Sequence, residues 1–171
     1  MALLKIVKYP EPVLLKVGKP ITEFNADLKA LVENMFETMY EAGGVGLAAP
    51  QIAESIRLFV MDCSGGEDEA QKIAIVNPEI IHVEGEQIGD EGCLSFPGIY
   101  QKVQRGLRTI VRGQDINGDW FELDGKDLTA RCVLHETDHC EGIVFLDRMT
   151  PLKRQLAKRK IKRLQKTGEW E

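Results

Sequence analysis

The stretch DLTARCVLHETDHCEG, residues 127–142, decides how the rest of the chain is read. Leu128, Cys132, His135 and His139 recur at i, i+4, i+7 and i+11, one face of an α-helix, and Gly142 is a natural stop. His135 and His139 are two of the chain's three histidines. Four residues advance a helix by about 400°, so both imidazoles point the same way, one turn apart. With Glu136 between them they make H-E-x-x-H, the spacing of a hydrolytic metal site on a helix. Neutral imidazole suits Zn and Fe. Glu136 is rotated off the histidine direction but stays within reach of a metal-bound water, whose pKa the ion lowers. It is the candidate general acid/base.

Two histidines do not complete such a site. The longer protease pattern H-E-x-x-H-x-x-G-x-x-H is followed as far as Gly142 and then meets Phe145, which cannot ligate. The only glutamates after Gly142 are Glu169 and Glu171, at the end of a basic helix. His82 stands in an alternating run and reads as an exposed or internally satisfied strand residue. Cys93, in the loop-like segment GDEGCLSFPG at 89–98, offers sulfur. A thiolate with two imidazoles gives three protein ligands and one open position, the pattern of a catalytic rather than a structural site. A buried free thiol is the other reading of Cys93, and the residues alone leave both open. Cys132 shares the histidine face a turn away and is assigned to packing.

Outward from this helix the chain reads as α+β. Leu28, Leu31, Val32, Met35, Phe36 and Met39 predict an amphipathic helix over 26–41 with Asn25 as its cap. Short β-like runs follow at 57–62 and 73–85, the second broken at Pro78. Asn117-Gly118 marks a hairpin between LRTIVRGQDI and WFEL. A last helix over about 151–166 has Thr150 as cap, Pro151 at its first position and an apolar stripe of Leu152, Leu156, Ile161 and Leu164. The expectation is antiparallel sheet packed around a central H-E-x-x-H helix, with a C-terminal helix, all in one domain over 1–171.

Composition sets the outer limits. A length of 171 residues suffices for one full core. No apolar run approaches the roughly 20 residues of a membrane helix, and MALLKIVKYP is too soon interrupted for a secretory signal. A cytoplasmic protein with free thiols at Cys63, Cys93, Cys132 and Cys140 is expected. Residues 153–171 carry eight Lys and Arg against two Glu in a chain of net charge −5. That basic end calls for an anionic partner or is a solvated helix. Neither a membrane nor DNA is expected as a partner.

Three motifs then coincide in order: GVGLAAPQ at 44–51, EGCLS at 91–95 and HETDH at 135–139. Together they resemble peptide deformylase, and the likeness runs from the N-terminus into the final helix. The compact length and long last helix are similar to the Gram-negative-type subclass. The resemblance implies an α+β fold and removal of the formyl group from the formyl-methionine of nascent polypeptides, a metal-bound water attacking the formyl carbon. It implies one divalent ion, Fe²⁺ in the cell, with Zn²⁺, Ni²⁺ or Co²⁺ possible in its place, on Cys93, His135 and His139. Glu136 is then the general acid/base. Gln51 and the backbone N–H of Leu94 serve the oxyanion, and Gly46 with Val45 pairs with the substrate backbone. Tyr100 stands where some members carry a substrate-contacting Arg. Arg131 either lines the methionine pocket with its aliphatic stem or is a surface arginine, and Arg105 is a candidate partner of Glu91. The basic end suits ribosomal RNA near the exit of the nascent chain. Two rival readings are a metallopeptidase, disfavoured by Phe145, and a non-catalytic ribosome- or RNA-binding protein with a structural metal, which has no use for Glu136 or Gln51.

Overall fold

The computed structural model describes residues 2–170. Helix α1 (Ala26–Glu41) starts where Asn25 accepts the Leu28 N–H at 3.0 Å, the orphan donor an N-cap exists to satisfy. Strands β1 (Gly46–Ala48), β2 (Leu58–Met61), β3 (Ile73–Glu84), β6 (Arg108–Gln114) and β7 (Trp120–Lys126) form one antiparallel sheet in the order β1-β2-β3-β6-β7. Strands β4 (Gln87–Cys93) and β5 (Phe96–Arg105) form a separate antiparallel hairpin. Helices α2 (Leu128–Cys140) and α3 (Pro151–Thr167) follow. The α+β expectation holds.

Strand β2 explains the layering. Its four residues, LFVM, are all buried. Successive strand side chains point to opposite faces, so Leu58 and Val60 pack under α1 with Val32, Met35 and Met39. Phe59 and Met61 pack on the other face with Cys132, Val133 and Cys140 of α2. Helix α2 is therefore held on the large sheet, while the β4–β5 hairpin reaches its other side through Glu91. A third cluster joins Phe96, Ile99 and Val103 of β5 to Phe145, Ala157, Ile161 and Trp170.

Four local expectations change. The run at 73–84 is one strand, not two. Asn77 takes φ 53° in a bulge between Val76 and Glu79, a conformation that Asn tolerates. Its amide bonds Ile21 in both directions at 2.8 Å and Gln114 at 2.7 Å. Pro78, which has no N–H to give a ladder, falls in that bulge, the position a sheet allows it. Secondly, Cys93 is the last residue of β4 rather than a loop residue; only Leu94 and Ser95 separate it from β5. Thirdly, the hairpin expected at Asn117-Gly118 is present, but its strands stop short and leave a five-residue connection, 115–119, closed by the Asp115 N–H on the Asp119 carbonyl. Finally, α3 buries Ala157 and Ile161 and leaves Leu152 and Leu156 exposed. Arg154 fixes that rotation by donating to the carbonyls of Leu146, Asp147 and Met149. No helix among the described residues is long and apolar enough to cross a membrane.

Candidate metal centre and active site

The donors come from two elements. Helix α2 carries His135 and His139 on one face, and β4 delivers Cys93 against them. Cys93 Sγ and one nitrogen of each imidazole lie within 4.8 Å of one another, and Cys93 Sγ is 3.5 Å from His139 Nε2. Burial holds the His139 pKa well below its ordinary value, so the ring is neutral, the form that binds a metal. This donor set fits one divalent ion of the Zn or Fe type.

The orientation of His135 is set from behind. Its Nδ1 is 2.6 Å from Glu91 Oε1, which leaves Nε2 facing the other donors. Glu91 also accepts from Arg105 at 2.8 and 2.9 Å and from Arg131 at 2.7 Å. Burial pushes this carboxyl up, but Arg105 and His135 overcome it and hold it well below the usual carboxylate range. Arg105 continues to Asp138 at 2.7 Å, and Asp138 takes Arg148 at 2.9 Å. The expected Arg105–Glu91 pair is present. The surface reading of Arg131 is corrected, since its guanidinium is buried on Glu91 and the Val103 carbonyl. The role of Glu91 beside His135 was missed. Spacing does not expose it, because the contact pairs β4 with α2 across 44 residues of sequence.

Gln51 is placed by a short 3₁₀ turn, Ala49–Ile52. Its Oε1 accepts the Ala48 N–H at 2.9 Å, which turns the NH₂ group towards Ser95 Oγ at 3.2 Å and Cys93 Sγ at 3.5 Å. Glu136 is 4% exposed, and burial pushes its carboxyl up to about 7. Its Oε1 has no partner among the described residues. Gly46 lies against it: a Cβ there would come within 2.5 Å of Glu136 Oε2.

A cleft of about 300 Å³ gathers Val45, Gly46, Gln51, Cys93, Leu94, Tyr100, Arg131, His135 and Glu136. His139 lies behind it, almost fully buried. Tyr100 is 73% exposed at the rim. Phe145 is a core residue, its ring 5.8 Å from that of His135. His82 is exposed and paired with Glu84 at 2.8 Å, away from the cleft. Glu169 lies on the α3 side with Lys160 and Arg163. Glu171 lies outside the described residues.

The polypeptide deformylase family model matches residues 3–155. The chain belongs to the polypeptide deformylase family. A peptide deformylase of Acidobacterium capsulatum is 52% identical, over 99% of this chain and all of that protein. The crystal structure of a peptide deformylase from Legionella pneumophila superposes with TM-score 0.89 at 47% identity, covering 96% of this chain and 98% of that one. A plant peptide deformylase superposes with TM-score 0.92 at 40% identity, covering 99% and 92%. The deformylase match takes in the whole cleft and ends inside α3.

Proposed function

We propose that this protein is a metal-dependent peptide deformylase that hydrolyses the N-terminal formyl group of formyl-methionyl peptides, the chain acting as one catalytic domain. The observation that carries the reading is the Cys93–His135–His139 donor set with a buried glutamate and an oriented amide beside it. The ion, held by Cys93, His135 and His139 and Fe²⁺ in the cell, supplies Lewis acidity to the formyl oxygen and to water. Zn²⁺, Ni²⁺ or Co²⁺ fits the same donors.

The protein's own groups do the rest. Glu136 takes a proton from the attacking water and delivers it to the leaving amine, so the products are formate and a free N-terminus. Its raised pKa suits both halves of that transfer near neutral pH. The Gln51 amide and the Leu94 N–H donate to the oxyanion; one such donor is typically worth roughly 3–4 kcal/mol. Val45 and Gly46 pair with the substrate backbone, and the missing Cβ of Gly46 leaves room for the Glu136 carboxylate against it. The methionine side chain enters between Cys132, Leu128 and the stem of Arg131, with Tyr100 at the rim. The enzyme acts in the cytoplasm. The exposed Lys158, Arg159, Lys162, Arg163 and Lys166 of α3 meet ribosomal RNA, and their removal is expected to abolish co-sedimentation with ribosomes at low salt.

The test offers anaerobically metal-loaded protein two substrates, a formyl-Met peptide and an internal peptide bond. Formate from the first alone is expected. Cleavage of the second without formate makes the protein a metallopeptidase, and inertness to both makes it a binding protein.

A further inference from the structure

Glu91 accepts four hydrogen bonds, two on each oxygen. Oε1 takes Arg105 Nη2 at 2.8 Å and His135 Nδ1 at 2.6 Å. Oε2 takes Arg105 Nε at 2.9 Å and Arg131 Nη1 at 2.7 Å. A carboxylate has about four lone-pair sites, so this one is saturated and its plane cannot swing without breaking a bond. Two of the four donors come from one helix. Arg131 and His135 are four apart in α2, one turn apart on one face. Between them they grip both oxygens of the same carboxylate.

The guanidinium of Arg131 is seated on all sides. Its Nη1 also donates to the Val103 carbonyl of β5 at 3.0 Å, and its Nη2 reaches Gln87 Oε1 at 3.5 Å. Gly89 leaves the space it occupies, since a Cβ there would stand 3.1 Å from Nη2. The same residue lines the catalytic cleft beside Leu128 and Cys132. One side chain therefore touches both the space that receives substrate and the carboxylate behind a metal ligand.

Charge decides what Arg131 adds. Arg105 already pairs with Glu91 and is shared with Asp138 at 2.7 Å. Without Arg131, Glu91 still has a cation beside it, so no uncompensated charge is left buried and the fold should survive. What disappears is the second bond to Oε2. The carboxylate can then turn, and the Oε1 contact that fixes the His135 ring turns with it.

We propose that Arg131 is a positioning residue for the metal ligand His135: it locks Glu91, and through Glu91 the imidazole, while its stem walls the substrate cleft. The effect on turnover rests on the deformylase reading; the effect on ion binding does not.

The experiment loads full-length wild type, Arg131→Met and Arg131→Lys with Co²⁺ without oxygen. It reads the visible absorption of the bound ion, its affinity against a competing chelator, and kcat and KM for a formyl-Met peptide. Methionine keeps an apolar stem in the cleft wall and removes the donors. Arg131→Met is expected to bind Co²⁺ roughly tenfold more weakly, the low end of what partners behind a ligand contribute. Its absorption should shift and its kcat fall, with KM near wild type. Lysine keeps the charge and one donor but not the planar fork, so Arg131→Lys should fall between the two. Wild-type affinity and spectrum in either variant would overturn the proposal. A raised KM at unchanged kcat, the mark of lost substrate binding alone, would overturn it too. If Arg131→Met loses the wild-type circular dichroism spectrum, Arg131→Lys decides on the same terms. Wild type that binds Co²⁺ and releases no formate would sink the deformylase reading and leave the ion-binding comparison standing.

Discussion

Glu136 is asked to be a base while 4% exposed, and that placement has a cost. Burial raises its pKa from 4.5 to about 7 in the folded protein. The folded state therefore binds its proton more tightly than the unfolded state, and stability falls as pH rises from 4.5 through 7. In the metal-free protein Glu136→Gln is expected to be more stable at pH 8 by on the order of 2–3 kcal/mol, read from denaturant midpoints. A less stable variant would contradict that sign. With metal restored, the same variant should keep its ion and lose about 10²–10⁴-fold in formate release. Loss of the ion instead would move Glu136 into the donor set. Gly46 gives a steric counterpart. A methyl 2.5 Å from Glu136 Oε2 forces the carboxylate to move, so Gly46→Ala should keep the wild-type circular dichroism spectrum and lose turnover. Unchanged turnover would mean that Gly46 and Glu136 do not share the working geometry. These residue-scale features were only half readable beforehand. The H-E-x-x-H spacing placed Glu136 near the histidines, but nothing local placed Gly46 against it, because that contact joins positions 90 residues apart.

Elements divide along the same line between local and distant causes. Helix α1 has the expected bounds because a 3.6-residue period and an Asn cap are written in adjacent residues. Pro78 splits strand β3 on local pattern alone, whereas the bulge that accommodates it depends on Ile21 and Gln114 from other segments. The rotation of α3 was likewise set by Arg154 on the preceding turn, and period alone picked the wrong leucines. The fastening of β4 to α2 through Glu91 is a pairing between elements, so spacing never exposes it. It predicts an acid limb. Glu91 has a depressed pKa when folded, so its contribution is present above the ordinary 4.5 and is lost as pH falls below that value. Wild-type thermal stability should drop on acidification from pH 5 to pH 3 by more than that of Glu91→Gln, which is already weakened at pH 7. Parallel pH profiles for the two proteins would remove Glu91 from the account.

At the scale of the molecule, one packed cluster seats the metal-bearing helix on the sheet, and two more brace the elements around it. Helix α1 stiffens the sheet from behind, the sheet holds α2 from one side, and the β4–β5 hairpin brings Cys93 and Glu91 from the other. The α+β class, the Cys93–His135–His139 grouping and the family were all readable from three short motifs. The cleft that gathers them required the topology. The central claim is that these three donors hold the ion on which formate release depends. The most direct measurement strips the protein with a chelator, adds Fe²⁺ back without oxygen in substoichiometric steps, and follows formate from a formyl-Met peptide. The account predicts activity that rises in proportion to bound metal, saturates at one ion per chain, and stays absent in Cys93→Ala at the same added metal. Full formate release from the stripped protein, or wild-type saturation in Cys93→Ala, would contradict it.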